Sequence, residues 1–169
     1  MGRMQNRWKP NVTVAAVIEH GGRFLLVEED TADGIRYNTP AGHLDPGEDP
    51  IQACRRETLE ETAHDFTPTA LVGIYLNRFT SSRSGADVTY LRFAFRGELG
   101  QLHTDRPLDT GILRAVWMSL DEVRACHALH RSPMVLHCIE DYLAGQQYPL
   151  ALIHADPSIY HQPQPSLAA

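Results

Sequence analysis

An α/β sandwich around a mixed β-sheet is the fold class this sequence predicts, on three observations. β-branched, apolar runs come first, at residues 12–18 and 23–28. A single helix-prone stretch then interrupts the strands from Asp49 or Pro50 onward, and further strands are followed by two helices near the C-terminus. A chain ordered this way buries both element types by placing helices against a sheet. Its 169 residues, 43% of them hydrophobic, are enough for one domain with a substantial core and too few for two.

Taken in order, residues 12–18 and 23–28 flank Glu19-His20-Gly21-Gly22 and predict a hairpin. Residues 31–34 are a polar loop and 35–38 a short extended piece. The helix after Asp49 has a good N-cap and a proline at its first position, where the missing N–H costs nothing. Residues 70–78 read as strand, 79–87 as a Ser- and Gly-rich loop, and 88–99 as a strand with Leu91, Phe93 and Phe95 on one face. After a loop over 100–111, residues 112–118 form another strand. Ser119 and Ser132 are expected N-caps for helices over 120–129 and 133–144, the second with proline at N1. The last fifteen or so residues, with Pro157, Pro163 and Pro165, read as a tail of little regular structure. The expected division is an N-terminal extension (1–8), one domain (9–153) and a proline-containing tail (154–169).

A net charge of −6 argues against a general nucleic-acid or membrane-surface binder. No uninterrupted 18-residue apolar run and no export-type N-terminal segment are present. Three cysteines, Cys54, Cys126 and Cys138, without CxxC spacing, fit a reduced, cytoplasmic protein. The absence of GxxxxGK, and of GxGxxG after a strand, leaves a Walker-type ATPase or a Rossmann enzyme unsupported. Cys126, His127, His130, His137 and Cys138 lack the paired spacing of structural zinc sites, and the histidines among them read as helical surface residues. The sequence sets no oligomeric state.

The chemistry concentrates in residues 40–64, PAGHLDPGEDPIQACRRETLEETAH. Glu57, Glu60 and Glu61, at i, i+3 and i+4, fall within roughly 100° of arc on one helix face. Like charges so placed destabilise a bare helix by about 0.2–0.5 kcal/mol per pair, and the macrodipole disfavours them late in the helix. A solvated acidic face is the plain alternative, but a compact oxygen cluster is what a hard cation, Mg²⁺ or Mn²⁺, requires. Arg56, four residues before Glu60, can fix a carboxylate rotamer.

Gly42, five residues, Glu48, seven residues, then Arg56-Glu57-Thr58-Leu59-Glu60-Glu61 resembles the Nudix box of hydrolases that act on diphosphates linked to another moiety. All five charged positions match. Ala63 stands where the pattern has glycine, and Thr58 and His64 stand at aliphatic positions. The Pro-Ala-Gly-His opening, Leu91-Arg92-Phe93, Trp117, Arg131-Ser132-Pro133 and the segment 145–150 are together similar to the bacterial NudJ-type phosphatases.

That resemblance implies a Nudix-like α/β/α sandwich and a Mg²⁺-dependent (or Mn²⁺-dependent) phosphatase-like hydrolase. Its small-molecule phosphoanhydride substrates would be nucleoside di- and triphosphates or hydroxymethylpyrimidine diphosphate of thiamine metabolism. The alternatives are an ADP-ribose or nucleoside diphosphate sugar pyrophosphatase and a Nudix-fold nucleotide binder without turnover. Glu57, Glu60 and Glu61 are the expected metal ligands, with the Gly42 carbonyl a fourth implied by the family. Glu57, Glu60 and Arg56 are the expected catalytic residues, and Glu48 supports them. The carboxylate that takes the proton from water stays open, with Glu98 and Asp109 candidates outside the box. His43, Arg92 and Tyr75 are candidates for touching substrate, with Arg23, Arg78, Tyr37 and Phe79 as further possibilities.

Overall fold

The computed structural model describes residues 7–82 and 84–161. Its elements are β1 (Asn11–Val17), β2 (Glu19–His20), β3 (Arg23–Thr31), β4 (Gly34–Asn38), β5 (Ala41–His43), α1 (Pro50–Thr62), β6 (His64–Thr80), β7 (Asp87–Leu102), β8 (Ile112–Ser119), α2 (Leu120–Ala125) and α3 (Met134–Leu143).

The expected mixed sheet is present, in the order β5-β1-β7-β6. β1 runs parallel to β7 and the other pairs are antiparallel. A second, antiparallel sheet joins β3 to β2 and β4 on one side and to β8 on the other. Alternation along β1 sorts the core into two layers. Val14, Ala16 and Ile18 pack with Ala53 and Cys54 of α1 and with Phe66, Leu71 and Phe95. Ala15 and Val17 pack with Val123 of α2 and Val135, Cys138 and Ile139 of α3. The mixed sheet therefore separates α1 from α2 and α3.

Several expectations need correction. The hairpin between residues 12–18 and 23–28 reduces to β2 against the start of β3, turned by Gly21 and Gly22 at φ 59° and 77°. β1 pairs with β5 and β7 instead, because its residues 14–18 are buried on both faces and so suit a central strand. The loop expected over 79–87 is shorter, since β6 reaches Thr80 and β7 starts at Asp87. The helix expected over 120–129 breaks at Cys126 and resumes as a 3₁₀ turn, His127–Leu129. Ser119 does cap α2, in a reciprocal box with Glu122. The N-cap of α3 is Pro133 and not Ser132, which lies two residues ahead of the helix start, though its hydroxyl accepts the Met134 N–H at 3.2 Å.

Part of the expected tail is ordered. Pro157–Tyr160 forms a 3₁₀ turn, and the Tyr160 hydroxyl donates to Asp49 Oδ2 at 2.7 Å. The rest of it, 162–169, lies outside the described residues.

Candidate active site

The site grows from both ends of α1. At its start, Asp49 Oδ1 accepts the N–H groups of Ile51 and Gln52, and Gln52 Oε1 accepts the Asp49 N–H at 3.1 Å. This reciprocal cap fixes the entry of a helix whose interior carries the carboxylates. At its end Ala63 adopts the left-handed conformation (φ 57°), the one non-glycine residue at positive φ among the described residues. That is the position where the Nudix pattern has glycine, and alanine meets a backbone cost there of roughly 1 kcal/mol.

Arg56 organises the acidic face. Its Nε and Nη2 donate to the two Glu48 oxygens at 3.0 and 2.7 Å, a bidentate pair. Nη1 donates to Glu57 Oε1 at 2.8 Å and to Glu60 Oε2 at 3.0 Å, while Nη2 also reaches the His43 carbonyl at 2.9 Å. Asp45 lies 3.5 Å away. Hydrogen bonding to Glu48 above all, with further help from Glu57, raises the Arg56 pKa above its ordinary value. For Glu48, burial works upward, but the donors from Arg56 and the Asp45 N–H hold its carboxyl below the usual range.

Glu57 and Glu61 are 8% and 7% exposed, and of these two buried carboxylates only Glu57 has a cation, Arg56, beside it. Burial raises the Glu57 pKa, opposed by Arg56. Glu61 has no cationic partner among the described residues, and its Oε2 accepts the Ala41 N–H at 2.8 Å. Burial pushes its pKa up to about 9, with Glu29, Glu57 and Asp109 adding to the effect. Gly42 is a steric requirement as well as a motif residue, because a Cβ there would overlap the Glu57 carboxyl group.

Ala41, Gly42, His43, Asp45, Arg56, Glu57, Glu60, Glu61 and Asp109 line one cavity of about 470 Å³. Glu48 stands behind Arg56. Asp109 is tied to the helix through its N–H, which donates to the Glu60 carbonyl at 2.9 Å. Glu98 is exposed on β7 opposite Thr67 and does not line this cavity. Arg92 and Tyr75 lie on the sheet face that carries α3, with the Tyr75 hydroxyl on Asp141 at 2.8 Å. Arg23 is paired with Glu122, Arg78 with Asp87, and the Tyr37 hydroxyl with Glu28. Phe79 packs on Tyr90. Asp45, Asn38 and Tyr90 were not singled out in the sequence. Only the Asp45-Pro46-Gly47-Glu48 turn could have drawn attention to the first of them.

The donor chemistry fits a hard divalent cation: carboxylate oxygens and a close-packed glycine, with two of the carboxylates buried. In the present arrangement no three acidic, histidine or cysteine side chains among the described residues converge on one point. The reason is Arg56, which draws on Glu57 and Glu60, while Glu61 turns to the Ala41 N–H. The Glu60 side chain is a third exposed and has room to turn. No helix is long and apolar enough to cross a membrane among the described residues.

Comparison with known proteins agrees with this geometry. The NUDIX domain family model matches residues 8–138. The chain is 37% identical over 146 residues to phosphatase NudJ of Escherichia coli K12, covering 86% of this chain and 92% of the relative, and equally to that of Shigella flexneri. A NUDIX hydrolase from Nitrosomonas europaea superposes with a TM-score of 0.81 at 55% identity, covering 88% of this chain and 98% of the other. An ADP-ribose pyrophosphatase from Streptococcus suis, at 21% identity and a TM-score of 0.55, shares the fold. The match across most of the chain, together with these relatives, shows that it belongs to the NUDIX family and is a Nudix hydrolase.

Proposed function

We propose that this hydrolase is a Mg²⁺-dependent, phosphatase-like enzyme that removes the terminal phosphate from nucleoside di- and triphosphates or from hydroxymethylpyrimidine diphosphate. The observation that carries the proposal is the cavity lined by Glu57, Glu60 and Glu61, the first two of them held by Arg56. The 37% identity to proteins named phosphatase supports the choice of terminal phosphate.

Each residue has a physical task in this reading. Glu57, Glu60 and Glu61 would hold the ion, with the Gly42 carbonyl beside them. When bound, a divalent cation polarises a phosphoryl oxygen and lowers the pKa of a coordinated water. Glu48 locks the Arg56 guanidinium through two hydrogen bonds, and Arg56 in turn fixes the rotamers of Glu57 and Glu60. The Ala41 N–H orients Glu61. Asp109 is the loop carboxylate placed to hold or accept a proton at the cavity wall. The small phosphate end enters this polar cavity, and the organic part lies toward β6 and β7.

A substrate panel with Mg²⁺, its products resolved by chromatography, tests the proposal. Orthophosphate released from GDP or hydroxymethylpyrimidine diphosphate is the expected result. Faster cleavage of ADP-ribose than of every other compound would replace it with the pyrophosphatase reading.

A further inference from the structure

Four residues stand in one row across the mixed sheet. His43 of β5 pairs with Thr13 of β1, Thr13 with Arg92 of β7, and Arg92 with Tyr75 of β6. Directly paired residues project on the same face. The row therefore leads from the cavity, which His43 lines, to α3, whose Asp141 accepts the Tyr75 hydroxyl. Two residues along β7 on that face lies Tyr90, its ring centroid 5.8 Å from that of His43 and 5.6 Å from that of Phe79. An aromatic edge thus adjoins the phosphate-sized cavity.

Inside the row two buried polar groups lack partners. Arg92 is 9% exposed and Thr13 8%, and neither Arg92 Nη1 nor Thr13 Oγ1 makes a hydrogen bond among the described residues. Arg92 Nη2 reaches Asn38 Oδ1 only at 3.4 Å. Asn38 is itself held by Glu29, whose Oε1 accepts its Nδ2 at 3.1 Å. A guanidinium cannot shed its charge, and a buried cation without a carboxylate is costly to keep. Such a group beside an aromatic edge suits a planar ligand that brings an acceptor.

We propose that Arg92 and Thr13 form a base-reading subsite for the exocyclic carbonyl of a nucleobase, favouring a 6-oxopurine over a 6-aminopurine. The proposal rests on the reading that the substrate is a nucleoside phosphate. The ring lies against His43 and Tyr90, and its carbonyl oxygen accepts from Arg92 Nη1 and the Thr13 hydroxyl. An amino group at the same place would turn its hydrogens toward the donor-only Arg92 guanidinium, with only the Thr13 hydroxyl, which can donate or accept, left to pair it.

The test is calorimetric binding of GMP and AMP in chelator-containing buffer, with wild type, Arg92→Gln and Thr13→Val. Wild type should bind GMP about tenfold or more tighter than AMP, the scale of one hydrogen bond to a charged donor. Arg92→Gln replaces the donor-only fork with an amide that can donate or accept, and should bring the ratio close to one. Thr13→Val should weaken both nucleotides and leave GMP the tighter ligand. A purely structural Arg92 would weaken both nucleotides alike and leave the ratio intact, which overturns the proposal. So does equal affinity in wild type, or no measurable binding of either nucleotide at ~10 mM. If Arg92→Gln fails to fold, the wild-type ratio decides. Nothing is hydrolysed here, so failure of the phosphatase reading would appear in the substrate panel without moving this ratio.

Discussion

Arg56 and Arg92 are both largely removed from water, and their surroundings are opposite. Arg56 touches Glu48, Glu57 and Glu60, has Asp45 at 3.5 Å, and bonds to a backbone carbonyl as well. Arg92 has one long hydrogen bond to an amide oxygen and an orphaned Nη1. A saturated guanidinium has nothing left to offer a ligand, so its effect passes through the carboxylates it positions. An unsaturated one leaves a donor for something that arrives. The same residue type thus serves as scaffold in one place and as contact in the other.

The largest expected effect lies on the Arg56 side. With excess chelator, hydrolysis should vanish and return on adding Mg²⁺ or Mn²⁺. Glu60→Gln and Glu61→Gln should each lower turnover by at least ~10²-fold while circular dichroism shows an intact fold, the scale of losing an electrostatic stabiliser. Wild-type rates in either variant would mean that the metal sits elsewhere.

These two arginines also mark what could be read from the sequence. Everything around Arg56 comes from residues 41–61, where helical periodicity and one cap bring the groups together, so spacing alone exposes the arrangement. The neighbours of Arg92 come from β1 and β6, which strand register aligns, and from β4 of the other sheet, and no local spacing encodes either placement. Physics of the same kind explains the hairpin error. The run 12–18 has the residues of a strand, but burial on both faces sends it to the centre of the other sheet. Asp109 and Glu98 look equivalent in sequence, and only the fold places the first in the cavity.

A smaller effect sharpens the scaffold role of Arg56. Arg56→Lys keeps a cation but loses the fork that holds Glu48, Glu57 and Glu60 together. Turnover should fall by about 10-fold, because misplacing a catalytic group by 1 Å can cost up to ~10². An unchanged rate would remove Arg56 from the account of catalysis.

The next effect is on stability. The folded-state pKa of Glu61 is raised, so its contribution in the metal-free protein is fully present below about 4.5 and is lost as pH rises through about 9. Metal-free Tm should therefore decline across that window, and Glu61→Gln should flatten the decline. Saturating Mg²⁺ should oppose it, since an ion bound only by the folded state stabilises it. Parallel Tm–pH curves for wild type and Glu61→Gln would show that Glu61 does not carry this penalty.

The smallest effect is at the far end of the same helix. Ala63→Gly relieves the left-handed strain of roughly 1 kcal/mol but adds up to about 1 kcal/mol of unfolded-chain entropy. Chemical denaturation should therefore show a change within about 1 kcal/mol. A larger loss would mean that the buried Ala63 methyl packs more than its backbone strains.

Hydrolysis of GDP in ¹⁸O-labelled water tests the central claim most directly, because it reports which phosphorus is attacked. With the terminal phosphate in the Glu57, Glu60 and Glu61 cavity and the base over the Arg92 row, the label should appear in orthophosphate and GMP should stay unlabelled. Label in GMP would place attack on the inner phosphorus and contradict this orientation of the substrate.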